Sequence, residues 1–314
     1  MVRRKGGNAP TSRHSGKSST RRSTSSNTTK AGSESHMFSG DHSNDPRKPP
    51  PRDRARQERP GSADPTLIYG RHAVRAALGN AQRVVTALWC AEDAAASLDA
   101  IFASIPASRR DQLPRPETLP RAELERRVPE GAVHQGWLAR IEPLPTIVLD
   151  DLLPDWADQT SVTLVVLDQV TDPHNVGAVL RSAAAFGAAA VIMQDRHAPS
   201  PTAVLAKAAS GALDVVPMIR VTNVSRALHT LQDKGFWCVG LAEEGTQPLH
   251  TVDLSGRTAL ILGSEGNGLR RLTRDTCDVL CRLPTVPPIN SLNVSTAAAI
   301  ALHQAALTRN NKIS

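Results

Sequence analysis

The chain has 314 residues, enough for two ordinary domains or for one domain with a long tail. Residues 1–64 hold 14 of the 37 Lys and Arg and 6 of the 30 Asp and Glu, a net of +8; residues 65–314 hold 23 and 24, a net of −1. The sequence pI of about 9.7 therefore describes the first fifth of the chain and not the body behind it.

Several classes fall away on the same reading. The longest apolar run, around 183–193, is too short to span a bilayer and is interrupted by Gly187, so no membrane partner is expected. The first thirty residues carry Arg and Lys without an apolar h-region, and no secretory signal is visible. Cys90, Cys238, Cys277 and Cys281 are scattered without a CxxC pair, which suggests neither a disulfide framework nor a metal site and suits a reducing, cytoplasmic setting. Aromatics make up 3% of the chain, too few to bind single strands mainly by stacking.

In chain order, residues 1–64 are Ser, Thr, Arg, Gly and Pro with almost nothing to bury, and read as a disordered basic tail. Met1 and Met37 are both possible starts. The tail is either a solvated extension or an arm that adds non-specific affinity for phosphates. From 65 to 143 a small α/β unit is expected: helix 72–78, strand 84–90, helix 92–105, a Pro-interrupted stretch, helix 121–127 and strand 136–141. Residues 144–160, with prolines and several acids, read as a linker.

From 161 to 314 the pattern becomes a regular alternation. Apolar strands are predicted at 163–167, 189–194, 215–219, 237–241, 259–262 and 279–283. Helices are predicted at 175–186, 202–209, 225–234 and 294–308, with a short turn at 269–274. Continuous apolar strands alternating with helices mean α/β architecture with a mostly parallel sheet covered on both faces.

Ligands in open α/β sheets bind at the carboxyl ends of strands, and three loops there are unusual. The first is LDQVTDPHNVGAVLRSAAAFG (167–187): Asp172 and Pro173 can start a helix, Asn175 lies in its first turn, and Arg181 interrupts an otherwise apolar stretch. A snorkelling arginine would explain Arg181 by itself. The second is LILGSEGNGL (260–269), where a buried strand meets three glycines and Glu265; its G-x-x-G-x-G order is not the dinucleotide fingerprint. The third is LPTVPPINSLNVSTAAAIAL (283–302), where Ser291 or Asn293 can cap the last helix, although capping does not account for Ser291, Asn293 and Ser295 together. No G-x-S-x-G elbow is present, which disfavours a serine hydrolase.

In order and spacing these three loops resemble the three motifs of the SpoU (TrmH) family of RNA ribose 2′-O-methyltransferases, within the SPOUT class. The likeness runs from Ile68 to about Thr308. IYGRHAV (68–74) and GAVHQGWLARI (131–141) resemble the RNA-binding extension that precedes the catalytic domain in members acting on a guanosine of bacterial 23S ribosomal RNA. The resemblance implies a C-terminal trefoil knot, a homodimer and S-adenosylmethionine as cofactor. It implies catalytic roles for Asn175, Arg181, Glu265, Ser291 and Asn293, and cofactor contacts around Gly263, Leu283 and Leu292. Pro287, Pro288, Ile289 and Asn290 stand where the family more usually has a glycine-containing approach.

Family assignments give Arg181 the activation of the 2′-hydroxyl. A guanidinium is not readily deprotonated, so a clamp on the adjacent phosphate and the 2′-oxygen is the better expectation. Asn175 and Glu265 are expected to hydrogen-bond each other and hold Arg181. Asn175 and Arg181 are six apart, roughly 120° around a helix, so both cannot point the same way. His134 and His174 lack a carboxylate at fixed spacing and read as structural. The rivals are methylation of tRNA or of another ribosomal position, a non-catalytic RNA-binding assembly factor on the same fold, and a nicotinamide-dependent oxidoreductase, which lacks its fingerprint.

Overall fold

The computed structural model describes residues 66–197, 203–288 and 291–311. The expected disordered tail, 1–64, lies outside the described residues, as do Ile289 and Asn290 of the third loop.

The first sheet has four strands in the order β1-β4-β2-β3, with β1 Leu67–Tyr69, β2 Val85–Ala91, β3 Glu117–Leu119 and β4 Trp137–Ile141. β4 runs antiparallel to β1 and β2, and β3 lies parallel to β2. Helices α1 Arg71–Gly79, α2 Ala95–Ser104, α3 Ala107–Arg110 and α4 Arg121–Arg127 accompany it. Leu78, Leu98, Leu124, Trp137 and Leu138 are fully buried in this core, and such burial is worth roughly 1.5–3 kcal/mol per large apolar side chain. The sequence pattern does not disclose β1 and β3, because three residues are too few to show a period and both strands exist only by pairing with a neighbour.

The stretch expected to be a plain linker is partly packed. It contains α5 Leu149–Leu152 and a single turn at Pro154–Trp156. Leu149 and Trp156 are buried against the second sheet, with the Trp156 ring edge-on to Phe236 at 5.9 Å.

The second sheet has seven strands: β5 Val162–Asp168, β6 Ala190–Gln194, β7 Met218–Val221, β8 Trp237–Leu241, β9 Gln247–Pro248, β10 Arg257–Gly263 and β11 Val279–Arg282. Their order is β7-β6-β5-β10-β8-β11-β9, and every pairing is parallel, as the alternating pattern predicted. Helices α6 Pro173–Ala185, α7 Ala203–Ala209, α8 Val224–Asp233, α9 Arg271–Thr276 and α10 Val294–Asn311 complete the unit. All seven residues of β5 are buried. Val165, Leu167, Leu260 and Leu262 pack with residues of α6 and α10 on one face; Leu164, Val166 and Ile261 pack with Leu228 and Leu231 on the other.

One expected strand is displaced. The run predicted at 215–219 begins three residues later, at Met218. Pro217 cannot donate to a ladder, and Val215 and Val216 instead close a turn on the Ala212 carbonyl, which leaves Val215 exposed. Among the described residues no helix is long and apolar enough to cross a membrane.

Candidate active site

β5 and β10 lie side by side in parallel register, with Asp168 opposite Gly263. The first two unusual loops therefore leave the sheet next to one another. After β5, the Asp172 carboxylate accepts hydrogen bonds from the His174 and Asn175 amides, and Pro173 occupies the first turn. This is the predicted helix start, and it satisfies donors that would otherwise be orphaned. It also fixes Asn175 at the tip of α6, half-buried.

After β10 the chain folds back sharply. Ser264 bridges to Gly268, and Gly266 and Gly268 adopt positive φ angles of 81° and 62°. A Cβ at Gly263 would collide with the Gly268 carbonyl, so only glycine permits this close approach. Glu265 is thereby carried out at the apex of the turn. Its Oε1 accepts a hydrogen bond from Asn175 Nδ2 at 3.0 Å, the contact expected from the sequence.

Asn293 joins them from the third loop. Its Nδ2 donates to Asn175 Oδ1 at 3.0 Å and to Glu265 Oε1 at 2.5 Å. Its Oδ1 accepts from the Ser295 amide at 2.9 Å, from the Thr296 amide at 3.4 Å and from the Ser295 hydroxyl at 2.5 Å. Asn293, rather than Ser291, thus caps α10, and one side chain ties the start of that helix to both other loops. Three loops from distant parts of the sequence close a hydrogen-bonded triangle.

Beside the triangle, at the carboxyl ends of β8, β10 and β11, lies a cleft of about 520 Å³. Gly263, Glu265, Leu283, Ser291, Leu292 and Asn293 all line it. Six of the eight residues singled out in the sequence therefore meet at one cavity. Asn175 reaches that group through its hydrogen bonds. Arg181 does not: it is exposed two turns along α6, and among the described residues it makes no hydrogen bond or ion pair. The expectation that Asn175 and Glu265 hold Arg181 in place is not met, because the helix geometry turns the two α6 side chains apart and Asn293 takes the third place.

The sequence reading passed over Asp168, the last residue of β5. It is 0% exposed; its Oδ1 accepts from Arg270 Nε at 2.7 Å and Nη2 at 2.6 Å, and its Oδ2 accepts from the Arg270 amide at 3.0 Å. The guanidinium on one carboxylate oxygen and the amide on the other pin the far end of the glycine turn to the strand that leads to Asn175. A carboxylate closing a strand that is apolar but for Thr163 was the available signal. Arg282 adds a second fastening, with Nη1 donating to the Gly245 and Thr246 carbonyls at 2.8 and 3.0 Å.

The cysteines of β8, β11 and the turn between α9 and β11 are held as thiols. Burial, aided by the Asp278 charge, pushes the Cys238 and Cys277 thiols up to about 12, and burial raises Cys281 as well. His134 is buried in the four-stranded unit, where its Nδ1 accepts the Gly136 amide at 3.2 Å. Burial first, and the Arg121 charge second, hold its imidazole below the usual histidine range. Among the described residues no group of three or more His, Cys, Asp or Glu is placed to hold a metal.

Comparison with known proteins gives consistent results. The model of the "SpoU rRNA Methylase family" matches residues 162–303, and that of "RNA 2'-O ribose methyltransferase substrate binding" matches residues 67–147. A Pseudomonas putida protein named 23S rRNA (guanosine-2'-O-)-methyltransferase RlmB is 39% identical over 260 residues, covering 78% of this chain and 97% of its own. The Vibrio cholerae protein of the same name is 47% identical over 181 residues, 57% of this chain and 73% of its own. Among solved structures, the SpoU methyltransferase AviRb from Streptomyces viridochromogenes, in complex with AdoMet, superposes with a TM-score of 0.60 at 23% identity, over 79% of this chain and 90% of that one. At that identity the superposition speaks for the fold. A relative 39% identical and matched over nearly its full length, together with two adjacent family models, shows the family: the chain belongs to the SpoU rRNA methylase family.

Proposed function

We propose that this protein transfers a methyl group from S-adenosylmethionine to the ribose 2′-hydroxyl of a guanosine in 23S ribosomal RNA. The carrying observation is the triangle of Asn175, Glu265 and Asn293 on the rim of the strand-end cleft, in a chain whose relatives in Pseudomonas and Vibrio are named for that reaction.

The lining fits the cofactor's chemistry. Leu241, Leu262, Leu283 and Leu292 offer apolar surface to a purine, the glycine turn brings backbone close, and Glu243, Glu244 and Glu265 favour a cation. S-adenosylmethionine supplies an electrophilic methyl group on a sulfonium. The residues of the chain hold the acceptor in line and stabilise the oxygen as its proton leaves to water. Arg181, always cationic and with no partner among the described residues, suits a fork on the 2′-oxygen and the adjoining phosphate. Asn175 and Asn293 restrain the Glu265 carboxylate, and Ser291 belongs to the wall of the cleft.

The same reading assigns residues 65–143 to RNA binding, 144–160 to the connection, and 161–314 to catalysis. The basic stretch 1–64 serves as an auxiliary arm for RNA, and the reaction takes place in the cytoplasm. It includes a trefoil knot, supported by the late entry of β10 between β5 and β8. It also includes a homodimer, supported by the exposed Ile300 and Leu307 of α10 and by Arg181, which is exposed on α6 and makes no hydrogen bond to the triangle.

Incubating the purified protein with tritiated S-adenosylmethionine and separate pools of unmodified ribosomal RNA and tRNA tests the reading. Label in one guanosine ribose of 23S RNA, lost in Arg181→Ala, is expected. Label confined to tRNA would overturn the substrate; cofactor binding with no transfer to any RNA, including precursor particles, would overturn the reaction.

A further inference from the structure

The proposed reaction needs RNA gripped by one part of the chain and modified by another, so the join between the two sheets matters. That join contains a buried ion pair. Arg83, just before β2, directs Nε to Asp214 Oδ1 at 2.7 Å, and the two side chains are only 6% and 5% exposed. Asp214 stands in the turn between α7 and β7 of the seven-stranded unit. Asn80 Nδ2 donates to the same Oδ1 at 3.2 Å, and Arg83 Nη1 donates to the Glu142 carbonyl at 2.9 Å. Arg109 braces the far side, with Nη2 donating to the Arg83 carbonyl at 2.6 Å.

The backbone at the seam is equally specific. Gly211 has a φ of +89°, and a Cβ there would lie 2.8 Å from both the His72 carbonyl oxygen and the Ala76 Cβ of α1. Ala206 of α7 packs against the core of the four-stranded unit. Directly beside these contacts is a cavity of about 620 Å³ lined by Arg83, Asp214, Pro143, Ile147 and Met218. The seam is therefore not filled by continuous apolar packing. A buried guanidinium is tolerated only where all its acceptors are in place, so the ion pair admits one orientation of the two units and penalises others.

We propose that Arg83 and Asp214 are specificity-determining positioning residues: their buried pair locks the RNA-binding unit onto the catalytic unit at a fixed offset. The protein then selects RNA whose folded shape reaches both units at once, and does not hold the front unit on a loose tether. The proposal rests on the function proposed above.

The test uses the full chain with Asp214→Leu, which strands the Arg83 guanidinium, and with the double variant Arg83→Met/Asp214→Leu, which replaces the pair by apolar groups of similar size. Two readouts are taken: hydrogen exchange of the 211–216 turn and α1, and KM and kcat for a long structured fragment of ribosomal RNA. The single variant is expected to exchange about tenfold faster at the seam and to raise the RNA KM about tenfold, with kcat and cofactor affinity within about twofold of wild type. The double variant is expected to recover most of both losses. Wild-type exchange and KM in the single variant would overturn the lock, as would a double variant no better than the single one. If Asp214→Leu does not fold, Asn80→Ala is read in the same way with a smaller expected shift, and unchanged exchange there overturns the lock. If no RNA is methylated by the wild type, the proposed function fails while the exchange measurement still decides the docking.

Discussion

The two sheets place their polar residues in opposite ways. In the seven-stranded sheet the central strands are mainly apolar and the polar groups of the site gather at their carboxyl ends: Asp168 closes β5, Glu265 follows β10, and Asn293 precedes α10. In the four-stranded unit guanidinium groups sit over rings. Arg127 and Arg140 sit over the Trp89 indole at 4.7 and 5.5 Å, and Arg71 over Trp137 at 5.5 Å. Parallel strands covered on both faces have nowhere but their ends to carry chemistry, whereas a small mixed sheet can use its face and rim. Substitutions in the first should strike turnover, and in the second stability and RNA affinity.

The sharpest break of that division is Arg181→Ala. Loss of the only charge expected at the 2′-oxygen should lower turnover by about 10²–10³ with cofactor affinity retained, as measured by single-turnover methyl transfer and calorimetric titration. Arg181→Lys should recover little, because it keeps the charge and loses the fork; near-normal turnover in that variant would remove the clamp role.

Next in size is Asp168→Ala, which leaves Arg270 unpaired beneath the glycine turn. A loss of about 3 kcal/mol in denaturant unfolding is expected, together with weakened cofactor binding. A stable variant with intact cofactor affinity would show that the turn holds itself.

Leu124→Ala removes the fully buried anchor of α4 and should cost about 3 kcal/mol, with cofactor affinity unchanged if the two sheets have separate duties. Equal loss of cofactor binding would break the comparison. Arg127→Ala should cost only about 0.5–1 kcal/mol in thermal unfolding, since it removes one cation over a ring.

The smallest effect is a pH slope. His134 has a lowered pKa in the folded chain, so the unfolded chain takes up its proton first as pH falls. Its contribution to stability is complete above the unfolded value of about 6.5 and is lost on acidification from there towards the folded value. His134→Asn, which can still accept the Gly136 amide but does not titrate there, should flatten melting temperature against pH between about 7 and 5. An unchanged slope would assign the acid sensitivity to other groups.

Much of this was open to reading in the linear chain. Apolar runs bounded by turn residues located most strands of the parallel sheet, Asp172 and Pro173 marked the start of α6, and three polar loops named six of the residues that line the cleft. These are local properties: period, capping and chain direction need only a few neighbouring residues. Strands β1, β3 and β9 were not legible, because two or three residues carry no period and are strands only by virtue of a partner. The start of β7 moved because a single proline outweighed a run of apolar side chains.

The sequence by itself determined that this is a parallel α/β chain with three unusual loops at strand ends. Beyond the expected Asn175–Glu265 contact, only the tertiary structure decided which distant residues touch. Asn293 reaches Asn175 across 118 positions, Asp168 grips Arg270 across 102, and Arg83 meets Asp214 across 131. No local rule encodes such pairs: they form where strand order brings distant ends together, and at Asp168 and at Arg83–Asp214 burial then requires each charge to find its partner.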